Sequence, residues 1–209
     1  MKIYLFRHGE TDWNKARRLQ GQSNIPLNPF GRELAMKTAE ALQDISFDRA
    51  FSSPLSRAVE TAQILLGDTQ IPVITDHRLL EINFGDCEGR GFDEAKRDSA
   101  HPLHNFFCHP DIYLPPEGAE TLQTVIARSR DFLREQILPL EETCETILIV
   151  AHGAFNRCLL NSITHFPLER FWEIELPNCA ASILSLEHGQ FAIKTESIVY
   201  YGTPVNGKP

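Results

Sequence analysis

The chain has 209 residues, 42% of them hydrophobic, and a formal net charge of −8 at pH 7, which suits one substantial core over residues 1–209 rather than two domains. Its twenty Lys and Arg form no dense run, so neither nucleic acid nor an anionic membrane is expected as a partner. Five scattered cysteines (Cys87, Cys108, Cys144, Cys158 and Cys179) make no disulfide framework, and no apolar run has the length or flanks of a membrane span or signal peptide, so a reducing cytoplasm is expected.

Ile3, Tyr4, Leu5 and Phe6 form an unbroken apolar run, the pattern of a strand buried on both faces, and it ends in Arg7-His8-Gly9. Ligands of open α/β sheets bind beyond the carboxyl ends of such strands, and Gly9 admits close approach. Residues 12–28 carry Asn14, Arg17, Arg18, Gln20, Gly21 and Gln22, more long donors than a connector needs, so this loop is expected to face a ligand in part. Asn28-Pro29 opens a helix to about Leu42, with Leu34, Ala35, Thr38 and Ala39 on one face. Residues 47–51 read as a second strand. Ser53 offers an N-cap and Pro54 a first helical residue for a helix over 54–66, stopped by Gly67, with Arg57 in its opening turn.

A short third strand is expected at 71–75, and residues 79–89 deliver Glu81 among the apolar side chains of Leu79, Leu80 and Ile82. Periodicity then lapses over residues 91–118, where Phe92, Phe106, Phe107, His109, Tyr113, Pro115 and Pro116 dominate an insertion of the kind used as a lid. An amphipathic helix over 120–138 carries Leu122, Val125, Ile126, Phe132, Leu133 and Ile137 and stops at Pro139. The strand ending in Ala151 repeats the opening pattern, running into His152-Gly153 and a helix at 155–163. Residues 180–186 and 190–199 flank His188-Gly189 as an antiparallel hairpin on the sheet's edge, which would permit a homodimer. The expected fold is α/β: three α/β/α layers, a mostly parallel central sheet, an antiparallel C-terminal edge hairpin and an irregular lid insertion.

If the ends at His8, Arg57 and His152 converge, two imidazoles, two guanidiniums and a helix N-terminus enclose one small volume, an environment for a dianion. The segments RHGETDWN, SSPLSRAVETA, LLEINFGDCEG around Glu81 and AHG at 151–153 resemble, in order and over most of the chain, the motifs of the histidine phosphatase superfamily, the phosphoglycerate mutase-like proteins. The resemblance implies one phosphatase domain acting on a small phosphomonoester.

A phosphomonoester repels nucleophiles until its charge is neutralised, which Arg7 and Arg57 can do bidentately. With no thiolate loop and no acidic metal cluster in the sequence, His8 is the expected nucleophile, kept neutral by its guanidinium neighbours; no metal and no cofactor are expected. Glu81, held protonated by apolar surroundings, is the expected acid and then base, in agreement with the glutamate of family members with this arrangement. His152, neutral or cationic, and the Gly153 amide would hold phosphate oxygens. Asn14 matches the family's phosphate-contacting asparagine; Gln20 and Gly21 join it as substrate-binding residues. Glu10, Thr11, Glu60 and Thr61 are expected to brace the site.

His101, His104, Cys108 and His109 read as surface residues or as lid imidazoles facing an anionic substrate; they lack the paired spacing of structural zinc modules. Cys87 replaces the tryptophan of the family's GDWEG stretch, and Gly118-Ala119-Glu120-Thr121 its Gly-Gly-Glu-Ser; both bear on substrate choice. Mutases of the family are typically longer, with an arginine pair in the insertion and a C-terminal tail over the site. Here the insertion offers only Lys96 and Arg97 besides histidine, and about ten residues follow the last strand. Phosphatase activity is therefore favoured over a mutase, and both over a non-catalytic phosphate-binding module. The aromatic insertion suits a leaving group with a flat or apolar part, such as α-ribazole phosphate or an aryl phosphate, with sugar phosphates also open.

Overall fold

The computed structural model describes residues 1–202; most of the roughly ten residues expected after the last strand lie outside the described residues. In chain order the elements are β1 (Lys2–Arg7), α1 (Asp12–Lys15), α2 (Pro29–Ala41), β2 (Arg49–Ser52), α3 (Ser56–Leu66), β3 (Val73–Thr75), α4 (Phe92–Arg97), α5 (His104–Cys108), α6 (Leu122–Phe132), β4 (Thr146–Ala151), α7 (Gly153–Thr164), β5 (Ala181–Glu187) and β6 (Gln190–Ile198). The strands form one sheet in the order β3-β2-β4-β1-β5-β6. Pairing is parallel from β3 to β1 and antiparallel across β1, β5 and β6.

The unbroken apolar runs follow from burial on both faces. Ile3 and Leu5 of β1 join Ile147 and Ile149 of β4 in a core with Leu122, Val125, Phe155 and Leu159 of α6 and α7. The alternate residues Tyr4, Phe6, Leu148 and Val150 pack against Ala58, Ala62 and Leu65 of α3 on the other side. Among the described residues no helix is long and apolar enough to cross a membrane.

Four departures from the sequence reading have a clear physical cause. The helix after Ser53 begins at Ser56, with Leu55 as its cap residue, because Asn24 supplies the cap from a distant loop: its Oδ1 accepts the Ser56 N–H at 2.8 Å. The insertion is not wholly irregular, since α4 and α5 form within it and Leu103, Phe106 and Phe107 enter the main core. The expected long helix ends its α-helical turns at Phe132 and continues as a π turn (Leu133–Ile137) and a 3₁₀ turn (Leu138–Leu140). Pro139 has no N–H for the carbonyl four residues back, and the ladder widens ahead of it. Finally, α7 starts at Gly153, with His152 as its cap residue, so its first free N–H groups lie at the sheet's carboxyl edge.

The β5–β6 hairpin forms the expected edge, turning through His188 (φ 55) and Gly189 (φ 75), the left-handed pair of a two-residue hairpin.

Candidate active site

The parallel register of β1 and β4 pairs Arg7 with Ala151, so the residues that follow leave the sheet side by side. The rings of His8 and His152 lie 5.1 Å apart at 60°, and both are buried. His8 Nδ1 lies 2.6 Å from the Gly9 carbonyl oxygen, and Arg57 Nε stands 3.3 Å from Nε2. A carbonyl only accepts and a guanidinium only donates, so these partners assign the proton to Nδ1 and the lone pair to Nε2. Burial, then Arg57 and Arg7, push the His8 pKa well below 6.5, and the ring is neutral.

Arg57, fully buried at the start of α3, donates to the carbonyls of Ser23 (2.7 Å) and Gly21 (2.8 Å). Burial brings its pKa down to about 10. The loop presenting those carbonyls is clasped by Glu88, whose carboxylate accepts the N–H groups of Gln22 and Ser23, each at 2.8 Å. Gly21 has φ +49, and a Cβ there would stand 2.0 Å from Glu88 Oε1, so the clasp requires glycine. Arg7 donates through Nη1 to the Leu176 carbonyl at 2.7 Å, while its buried Nε has no hydrogen-bond partner among the described residues.

Glu81 corrects an expectation. Leu79 and Ile82 turn into the core, and three backbone N–H groups meet the carboxylate instead: Ile82 at 3.0 Å, Ala154 at 3.1 Å and Phe155 at 2.8 Å. The carboxylate thus docks on the N-terminus of α7, a consequence of that helix starting two residues early. The charge of His152, left open by the sequence, is settled by its surroundings: burial, with Arg57 and His8 next in weight, pushes its pKa well below 6.5 and leaves it neutral.

Arg7, His8, Asn14, Gln20, Gly21, Arg57, Glu81 and Gly153 line one pocket of about 190 Å³, with His152 buried beside His8. Asn14 Oδ1 and Gln20 Oε1 are both tied to Thr11. Thr61 does the bracing expected of it, accepting the Gly9 N–H and donating to the Arg57 carbonyl. A wider groove of about 610 Å³ beside Met1, Glu141 and Leu184 lies at the other end of β1 and holds none of these residues. Behind the pocket, Cys179 has φ 57, and its N–H is shared between the carbonyls of Arg7 (3.1 Å) and His8 (3.3 Å). A left-handed non-glycine residue here is local strain held directly behind Arg7 and His8.

Arg157 was missed by the sequence reading. It donates to the carbonyls of Gly153 (2.8 Å) and Ile174 (3.0 Å), lies 4.8 Å from the centre of the Trp172 ring, and lines the pocket; burial brings its pKa down to about 10. The signal available was a single cation in a helix whose other positions carry no charge.

The outer wall comprises Leu19, Phe84, Phe92, Phe106, Phe107 and Trp172. Phe107 stacks on Trp172 at 5.4 Å, and Phe92 is flanked by Lys96 (4.8 Å) and Arg17 (5.0 Å). The insertion's imidazoles are not part of the wall. His101 is buried, its Nδ1 accepting the Leu103 N–H, and His104 lies by the Ala95 carbonyl. Among the described residues no three His, Cys, Asp or Glu side chains are grouped to hold a metal ion.

Comparison with known proteins agrees with this geometry. The family described as histidine phosphatase superfamily (branch 1) matches residues 3–198. A protein named probable phosphoglycerate mutase GpmB from Escherichia coli O1:K1 is 32% identical over 191 residues, covering 87% of this chain and 83% of its own. Bacillus stearothermophilus YhfR superposes with a TM-score of 0.85 at 33% identity, covering 93% of this chain and 96% of its own. The alpha-ribazole phosphatase of Shigella flexneri superposes at 0.83 with 27% identity, covering 98% and 100%.

Proposed function

Because the chain belongs to the histidine phosphatase superfamily, we propose that it is a metal-independent phosphomonoester hydrolase that works through a phosphohistidine at His8. The observation that carries this reading is the His8 ring itself: neutral, with its proton on the Gly9 side and its lone pair on Nε2, inside a pocket rimmed by guanidiniums.

An entering phosphate takes the place of His8 as the acceptor for Arg57 Nε and receives the buried Nε–H of Arg7, while Asn14, the Gly153 N–H and the one N–H of neutral His152 take further oxygens. Charge neutralisation lets Nε2 attack phosphorus as the bond to the ester oxygen breaks. Glu81, in its protonated form, gives its proton to the departing alkoxide. Glu81, again a carboxylate, takes a proton from water as its oxygen attacks the phosphohistidine, releasing inorganic phosphate and restoring the His8 lone pair.

A second reading, phosphoglycerate mutase, has one observation in its favour. Arg157 is a buried cation on the pocket wall with no carboxylate within ion-pair distance among the described residues, and it would suit a substrate that carries a carboxylate beside its phosphate. The test is phosphate release under excess chelator from a panel of α-ribazole phosphate, sugar phosphates, phosphoserine and aryl phosphates, beside interconversion of phosphoglycerates. Release lost in His8→Ala supports the hydrolase. Interconversion with little release replaces it with the mutase.

A further inference from the structure

Two fully buried polar side chains at the start of α7 have no hydrogen-bond partner among the described residues: both ring nitrogens of His152 and both amide atoms of Asn156. They stand one turn apart, with the Asn156 N–H donating to the His152 carbonyl at 2.9 Å. Helical side chains tilt toward the N-terminus, so the amide at 156 is carried back toward the cap residue. Its helix neighbours Phe155, Cys158, Leu159 and Leu160 all belong to the main apolar core. A buried amide without partners is unfavourable there, and a leucine would pack better, so packing does not account for asparagine at this position.

The two active-site imidazoles differ in one respect. His8 has its tautomer fixed by the Gly9 carbonyl and Arg57. His152 has neither anchor, yet it needs one more. A neutral imidazole has one N–H and one lone pair, and only the protonated nitrogen can donate to a phosphate oxygen; the other tautomer turns a lone pair toward an anion.

We propose that Asn156 is a positioning residue for His152: when phosphate fills the pocket, its amide N–H turns to donate to the ring nitrogen facing away from the anion and keeps the proton on the nitrogen that faces it. This rests on the pocket being a phosphate site. The amide can also turn over and present its oxygen, so it follows the ring through a change of protonation, which a leucine cannot do. Asn156 acts only through His152 and touches no substrate.

The test is ¹⁵N NMR of the His152 ring in histidine-labelled protein saturated with inorganic phosphate, comparing wild type with Asn156→Leu, Asn156→Gln and Asn156→Asp. Expected is one dominant tautomer in wild type and a mixture or the opposite tautomer in Asn156→Leu, with kcat about ten- to a hundredfold lower while thermal stability is kept or raised. Asn156→Gln restores the wild-type tautomer, and Asn156→Asp, able only to accept, favours a doubly protonated ring. Unchanged His152 shifts in Asn156→Leu overturn the proposal, as does lost activity with lost stability and an unaltered tautomer. If inorganic phosphate moves the shifts of neither His8 nor His152 in wild type, the phosphate reading itself fails and takes the proposal with it.

Discussion

The inner and outer halves of the pocket are held by different means. Inside, the reactive groups are tied to main chain: His8 to the Gly9 carbonyl, Arg57 to Gly21 and Ser23, Glu81 to the N–H groups of Ala154 and Phe155. Outside, rings pack on rings, Phe107 on Trp172 and Phe92 on Phe107. Main-chain anchors fix atoms to within a hydrogen bond's tolerance, whereas ring packing fixes a volume. On the proposed function, chemistry therefore depends on the inner half, and choice of substrate can vary with the outer half.

Substitutions can break this division or sharpen it. His8→Ala should abolish the nucleophile and lower phosphate release by about a thousandfold or more with the fold intact by circular dichroism. Retained release would put the chemistry elsewhere. Glu81→Gln should cost roughly a hundredfold or more on alkyl phosphates and much less on p-nitrophenyl phosphate, whose leaving group needs no proton; an equal loss on both would deny Glu81 the acid role. Arg157→Met should lower kcat/KM about tenfold for carboxylate-bearing phosphomonoesters and leave neutral ones within about threefold, measured on the same panel. Phe107→Leu should change kcat within about threefold while lowering stability by about 1–2 kcal/mol in urea denaturation. A large kcat effect would dissolve the distinction between the halves.

The inner half also sets a pH response. His8 and His152 stay neutral when folded but take up protons near their ordinary 6.5 when unfolded. The unfolded state thus binds more protons below that pH, and stability must fall as pH drops below about 6.5, by at most about 1.4 kcal/mol per unit for each histidine. His152→Asn should flatten that slope in a series of denaturant titrations.

The sequence made the inner half legible because its signals are local. The unbroken runs before His8 and His152 announce buried strands, and Arg57 lies just after a turn signal. What escaped depends on distant partners. The cap of α3 comes from Asn24, the environment of Glu81 from the N-terminus of α7, and the anchoring of Arg157 from the Ile174 carbonyl. Within the insertion, α4 and α5 span six and five residues, too short for a helical period to show, and they form because Phe106 and Phe107 have a core to enter.

The place of β1 in the sheet governs how the molecule comes into being. The first strand of the chain is hydrogen-bonded on one side to β4, where Lys2 faces Thr146, and on the other to β5, where Lys2 faces Ser185. During synthesis this apolar segment emerges before both neighbours and waits until the chain through β5 has left the ribosome. Arg7 and His8 thus join the pocket only in the last stage of assembly, and a chain truncated before β5 would display an unpaired hydrophobic edge, open to aggregation, in place of the assembled pocket.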